Sequence, residues 1–410
     1  MDTVLRYGSE STLRLEVDDR ALVADCLAPR GRDAAGTREL VREAIARPLD
    51  FPPLTSAATP GDRVVLAIGP EVPQGAAIVG PIVEALLTAG VRPADITLLL
   101  DATAQGRDTD YLRRDLPVAV GAGLQIAVHD PTSRDAVAYL AATAAGQPIY
   151  LNRLLCDADL VVPIGCLRCG AAPGYHGAAG GLFPTFSDTK TLARYRDPRL
   201  ARAGAALVET ARQEAEEVAW LLGILFSVQV VPGAGDEVVA VLAGNLSSVA
   251  QQGQAACDAA WSHSVRQRAS LVVAAVEGPP QQQTWENVGR ALAAAASVVA
   301  DQGAIAVCCE LTDEPGPAVQ KIAGADNPRQ TVRRLRQNRP ADLIPALQLA
   351  EALERAKVYL LSRLDDETVE ELGLAPVEDA DDIGRLAKRH ASCIVLESAQ
   401  RTIATADEDA

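Results

Sequence analysis

The sequence predicts an α/β fold of two domains, each a mainly parallel sheet flanked by helices, with an active-site cleft between them. Three observations lead there. Short apolar runs of strand length alternate with alanine-rich stretches of helical period; the alternation occurs twice; and 410 residues exceed what one hydrophobic core usually organises. Aromatic residues are few while Ala, Val and Leu abound, which suits helices packed on buried parallel strands.

In the first series, residues 61–68 (GDRVVLAI) read as a buried strand, and residues 77–90 as a helix closed by Gly90, where glycine suits the left-handed turn after a helix. Strands follow at Asp95–Leu100, Ile126–Val128 and Leu160–Ile164. The second series begins near Ser270. There Leu271–Val276 is a strand, Trp285–Ala300 a helix, and Gly303–Cys309, Val358–Ser362 and Cys393–Leu396 are further strands. A helix through Cys257–Trp261 separates the series, placing the domains at residues 1–260 and 261–410. The polar, acidic tail after Thr402 is expected to fray or to return to the N-terminal domain. Strand–helix–strand succession implies right-handed crossovers, and ligand sites then lie beyond the carboxyl ends of the strands.

The formal net charge of −16 is spread along the chain. Such a surface argues against nucleic acid or an anionic membrane as a partner, since either needs a concentrated Lys/Arg footprint. No apolar run approaches a membrane span and residues 1–6 lack the pattern of a signal peptide, so a soluble, cytoplasmic protein is expected. The eight cysteines read as reduced thiols, mostly buried. Cys166-Leu167-Arg168-Cys169 has the spacing of a zinc knuckle or a redox pair, with two buried thiols beside a glycine turn as the simpler alternative; no metal ligand is assigned. Arg168, beyond a strand's carboxyl end, could hold a carboxylate or phosphate bidentately or be an ordinary surface arginine. The glycine-rich run 174–181 would let a ligand approach the backbone, yet it fits neither the Walker nor the dinucleotide pattern.

Residues 145–153 (AGQPIYLNR), followed by Asp157-Ala158-Asp159-Leu160 and Gly180-Gly181, resemble the "G-x-P-(V/I)-x-(I/L)-N-R" segment and "A-D-L" strand of the nickel-dependent lactate racemase family. Residues 44–54, the strand end Ala127-Val128-His129-Asp130 and the turn Gly278-Pro279-Pro280 ahead of Arg290 are similar to further collinear pieces of that family. The resemblance implies a two-domain α/β protein that racemises a 2-hydroxy acid by hydride transfer to a nickel pincer nucleotide tethered to a lysine, with two histidines as alternating bases. Residue by residue, the family's carboxylate-clamping arginine falls on Pro70, its first histidine on Gly106 beside a retained Arg107, its second near Pro173, three residues short of His176, and a later lysine on Arg290. The tethering segment is missing between Gly181 and Leu182.

A covalent nickel pincer is therefore not expected, while non-covalent binding of a cofactor stays open. By this resemblance His176 is the catalytic candidate, a displaced base, its alternative being a loop histidine bonded to backbone. Arg107, Arg168, Arg290 and Tyr175 are the substrate-binding candidates for a small organic acid. Gly180, Gly181, Gln282 and Trp285 are the cofactor-facing candidates, the last two in a run (281–287, QQQTWEN) that also reads as a helix start capped by Thr284. Two functions follow: an isomerase acting on 2-hydroxy acids, a racemase or epimerase, or a non-catalytic, regulatory small-anion-binding protein on the same scaffold.

Overall fold

A computed structural model describes residues 2–143, 146–170, 172, 174–175, 177–197, 199–200, 206–323, 331, 334–335 and 337–407. The chain opens with a hairpin, β1 (Asp2–Tyr7) and β2 (Ser11–Glu16), then β3 (Leu22–Cys26) and helix α1 (Ala34–Ala46). The first βα series comprises β4 (Val64–Ile68), α2 (Gly75–Thr88), β5 (Ile96–Leu100), α3 (Val118–Gly123) and β6 (Gln125–Val128). A second hairpin, β7 (Val137–Ala142) and β8 (Pro148–Asn152), leads through α4 (Arg153–Asp157) to β9 (Leu160–Cys166), α5 (Thr189–Tyr195), α6 (Ala206–Leu221), β10 (Ser227–Pro232), β11 (Val238–Gly244) and α7 (Leu246–Trp261). The second series runs β12 (Ser262–Val265), β13 (Ala269–Ala275), α8 (Trp285–Val298), β14 (Val299–Cys308), α9 (Pro317–Ala323), α10 (Leu343–Arg355), β15 (Ala356–Leu361), α11 (Asp366–Glu371), β16 (Ala375–Pro376), α12 (Ala380–Ala387), β17 (Cys393–Leu396) and β18 (Ile403–Ala406).

Two six-stranded sheets organise the molecule, in the orders β11-β10-β9-β4-β5-β6 and β16-β15-β14-β13-β17-β3. Every pairing in them is parallel except β10 with β11. The central strands β4 and β13 are near-continuous runs of Val, Leu, Ile and Ala because both faces of each sheet are covered. In the first sheet one face packs under α1 and α2, and the other under α6 and the β7–β8 hairpin. In the second, α8 and α10 cover one face, while the β1–β2 hairpin and α12 cover the other. Several helices begin where side chains supply acceptors: Asp33 for α1, Asn245 for α7 and Thr284 for α8 each accept from a first-turn N–H. Among the described residues, no helix is long and apolar enough to cross a membrane.

Two expectations need correction. The first 26 residues do not belong with the first sheet: β3 pairs with β17 at the edge of the second, and Leu5, Leu13 and Leu15 pack on Leu271 and Val273 of β13. Without them the edge of β17 would be bare and α12 would cover the outer face of its sheet alone. The tail is not frayed through residue 406, since β18 pairs in parallel with β12. Leu15 is fully buried in this arrangement, so Leu15→Ala should destabilise the protein by about 2–5 kcal/mol, the range for a buried leucine truncated in a core. Urea-denaturation midpoints measure it, and a midpoint equal to wild type would detach the hairpin from the core.

Candidate active-site cleft

The sheet orders decide where a site can form. From β4 the chain moves to β5 and β6 on one side, then returns to β9 and β10 on the other; from β13 it moves to β14, β15 and β16, then to β17 on the opposite side. Strand order therefore reverses between β4 and β9 and between β13 and β17, and crevices open outside the carboxyl ends at such reversals. The loop leaving β4 carries Glu71 and that leaving β9 carries Arg168. The segment leaving β13 carries Gln282 and, on the second turn of α8, Arg290; the loop leaving β17 carries Arg401. These loops meet, which brings residues from both sheets into one polar cluster.

Across it, Arg290 Nη1 donates to the Glu71 carboxylate and to Asn287 Oδ1 at 2.9 Å. Arg401 donates to Gln282 Oε1 at 3.3 Å, to the Gly235 carbonyl at 3.5 Å and to Cys166 Sγ at 3.5 Å. Arg168 Nη2 donates to the Gln400 carbonyl at 3.5 Å. Burial by itself would raise the Glu71 carboxyl, but the guanidinium groups of Arg290, Arg168 and Arg401 outweigh it and hold the pKa at about 2. Burial, then repulsion from Arg290, lowers Arg168 to about 10. Burial pushes the Cys166 thiol up, opposed by Arg401. Glu71 (φ 61°) and Gln74 (φ 50°) both adopt the left-handed region, unusual for residues with a Cβ. Their loop is held by Gln74 Nε2 donating to the Arg32 carbonyl at 2.9 Å and by Gln74 N donating to Asp236 Oδ1 at 3.3 Å.

Of the residues singled out in the sequence, Arg168, Arg290 and Gln282 come together here. Tyr175 lies in the electrostatic reach of Arg168 and Cys166, its phenol raised by burial. Gly180 and Gly181 end the short turn Ala178–Gly181, laid against the carboxyl edge of the first sheet: a Cβ on Gly69 would stand 3.4 Å from the Gly181 carbonyl oxygen, and one on Gly181 would stand 3.9 Å from Gly165 Cα. Arg107 is exposed, within electrostatic reach of Tyr111. Trp285 requires correction as a cofactor-facing residue, because its ring is buried in the core of the second sheet and its Nε1 donates to the Asp313 carbonyl at 2.9 Å. His176 lies outside the described residues. Sequence reasoning missed Glu71 and Arg401, and the signal that could have found them is position, since each follows a central strand at its carboxyl end.

The Cys166 and Cys169 thiols part company, Cys166 towards Arg401 and Cys169 towards the Cys257 carbonyl at 3.6 Å. His129 is buried with both ring nitrogens engaged, by the Ser187 carbonyl at 2.8 Å and the Asn152 amide at 3.0 Å. Among the described residues no group of three or more His, Cys, Asp or Glu side chains could hold a metal ion, and Lys190, the lysine closest in sequence to the glycine-rich loop, is exposed on α5. An open groove between α8 and α10 is lined by Asp301, Glu351, Glu354 and Arg355. It sits at the amino end of β14, on the wrong edge of the sheet for a switch-point site, and its rim is largely acidic.

Because the folded pKa of Glu71 is depressed from an ordinary 4.5 to about 2, the stability it contributes is fully present above pH 4.5 and is lost as pH falls towards 2. Glu71→Gln should therefore flatten the acid limb of stability in that window, read as urea midpoints over a pH series. Superimposable acid limbs would remove Glu71 from the acid response.

Residues 7–201 match the lactate racemase N-terminal domain family. The fold is similar to the lactate racemase apoprotein from Thermoanaerobacterium thermosaccharolyticum, with a TM-score of 0.81 at 16% identity over 98% of this chain and 100% of that one. It is also similar to a structural-genomics crystal structure of a Thermotoga maritima protein, with a TM-score of 0.69 at 12% identity over 93% of this chain and 100% of that one. No curated protein matches the sequence. Residues 7–201 are thus similar to the lactate racemase N-terminal domain family, and the chain as a whole has the lactate racemase fold.

Proposed function

We propose that the cleft binds a small organic acid and that the protein is an isomerase of 2-hydroxy acids, a racemase or epimerase whose cofactor anchorage has been remodelled. The observation that carries the reading is the meeting of Arg168, Arg290 and Arg401 at the facing switch points of two parallel sheets. A guanidinium is planar, permanently charged and presents a fork of donors matched to a carboxylate. Three of them in a chain of net charge −16 make a local anion trap against the trend of the surface. Arg290 is the substrate clamp in this reading, and its present partner Glu71 marks the place a substrate carboxylate would take.

Racemisation needs a group that removes and returns a proton, and guanidinium groups cannot do so near neutrality. His129 has no free nitrogen for it. His176, in the loop between Gly174 and Gly177, is assigned that role, as an imidazole titrates where the chemistry requires. The second reading, a non-catalytic anion-binding protein, is favoured by one observation: Glu71 already neutralises Arg290, which suits a ligand-exchange site with no turnover.

Racemisation or epimerisation of a panel of 2-hydroxy acids and sugar acids, followed by chiral chromatography, separates the two. His176→Ala should abolish turnover with little change in stability, and Arg290→Ala should weaken acid binding by about 1.5–3 kcal/mol, the scale of a lost charge-assisted hydrogen bond. Unchanged turnover in the His176 variant would remove that residue from the mechanism. A wild type inert to the whole panel, yet thermally stabilised by one member, would establish the binding-protein reading instead.

A further inference from the structure

The three arginines are not equivalent. Arg290 has a carboxylate partner in Glu71. Arg168 and Arg401 have no ion pair among the described residues, and what they touch is neutral: the Gln400 carbonyl for Arg168, and a thiol, a carbonyl and the Gln282 amide oxygen for Arg401, all at 3.3–3.5 Å. The three made to oxygen lie beyond the usual range for N–H···O bonds. Arg401 Nε is buried with no hydrogen-bond partner at all, and so is Oε1 of the adjacent Gln400, a side chain only 3% exposed. Asp236 lies within electrostatic reach of Arg401, but its carboxyl is pushed up by burial and its Oδ1 accepts from Gln74 N. A guanidinium withdrawn from water is costly unless its donors are met by an anion. The chain does not lack acids to supply one, with 54 Asp and Glu against 38 Lys and Arg, so two arginines that share the field of Glu71 but donate to no carboxylate among the described residues indicate donors reserved for a ligand.

We propose that Arg168 and Arg401 form a second anion subsite beside the Arg290–Glu71 pair, and that the ligand is a hydroxy acid bearing two anionic groups, one for each subsite. The second group is a carboxylate or a phosphate, since both present the paired oxygens that a guanidinium fork accepts. Gln282 Oε1 and the Gly235 carbonyl, which now occupy Arg401, hold its plane in place and are weaker acceptors than a charged oxygen, so the incoming anion displaces them without moving the side chain far. The subsite explains why Cys166 sits under Arg401: a neutral thiol is a polarisable filler that neither repels the guanidinium nor competes with an anion for it.

This rests on the reading of the cleft as a hydroxy-acid site, and the test separates the two. Isothermal titration of the full-length protein at neutral pH and constant ionic strength uses lactate as the single-anion probe, malate as the dicarboxylate, 3-phosphoglycerate as the phosphorylated hydroxy acid, and inorganic phosphate alone. The expectation is that malate or 3-phosphoglycerate binds at least tenfold more tightly than lactate and than phosphate, the tighter of the two identifying the second group. Arg401→Gln should reduce that preference over lactate at least tenfold. Lactate binding as tightly as both two-anion probes would overturn the second subsite and leave the hydroxy-acid reading standing. Phosphate binding as tightly as 3-phosphoglycerate, with lactate and malate silent, would overturn both. No binding by any of the four probes would likewise sink both. An Arg401→Gln protein that loses affinity for lactate and malate equally would reduce Arg401 to a general field effect and overturn its assignment to the subsite. The wild-type comparison stands even if the variant fails to fold.

Discussion

Three guanidinium groups share the space between two sheets, and one carboxylate, Glu71, sits in their combined field. That crowding is the constraint on which the cleft depends. Burial of like charges is unfavourable, as the lowered pKa of Arg168 registers, and it is tolerable only because Glu71 stays ionised far below the pH at which a buried carboxyl would ordinarily take up a proton. Glu71 belongs to the first sheet and Arg290 to the second, so the same pair that balances the charge also ties the two layers together. A left-handed backbone at Glu71 and again at Gln74 turns the β4–α2 loop to put the carboxylate there, and the bonds from Gln74 to Arg32 and Asp236 hold that turn. An anion that enters must compete with Glu71 for Arg290, which makes the loop part of the binding equilibrium.

The central strands were legible because their residues are apolar on both faces, and a run such as Val64–Ile68 or Leu271–Ala275 has few other places to go. Strand polarity then pointed to the candidate cleft, since carboxyl ends of parallel strands are where crevices open. The margins were less legible for a physical reason. β3 takes its place beside β17 through partners such as Ala24 and Ile394, a pairing between the two ends of the chain for which no local pattern exists. The short strand Ile403–Ala406 has a composition that reads as polar tail, and only its parallel partner Ser262–Val265 makes it a strand. Long-range pairing of this kind is paid for by tertiary context, which periodicity does not carry.

Within the site, the arginines that are neighbours in space are remote in sequence, and this limited what could be foreseen. Arg168 and Arg290 were reachable from their loop and motif positions, whereas Arg401 stands among polar residues of an unremarkable turn and acquires meaning only when the β17 loop is laid over Cys166. Trp285 was misplaced by an error that helical geometry exposes. At about 100° per residue, positions 285 and 290 are about 140° apart around the α8 axis, so a helix that aims Arg290 into the cleft turns Trp285 towards the sheet. The tryptophan accordingly packs in the core, and its indole N–H is satisfied by Asp313.

The arginines, Glu71 and Cys166 of this cleft hold charge rather than move protons. Guanidinium groups bind and orient anions but exchange no protons near neutrality, Glu71 is too acidic to be an effective base, and burial keeps the Cys166 thiol protonated. His129, the imidazole on the adjoining strand end, is committed to Asn152 and Ser187 as a structural strut. These side chains are thus suited to holding charge, and beside them stand Asp101 and Asp236, whose carboxyls burial pushes up, and the glycine-rich loop that crosses the switch point of the first sheet. There Gly174 and Gly177 adopt positive φ and the Gly181 backbone lies against Gly69 and Gly165. The approach at that crossing is backbone to backbone, a Cβ on Gly69 standing 3.4 Å from the Gly181 carbonyl oxygen, so the loop covers the carboxyl ends of β4 and β9.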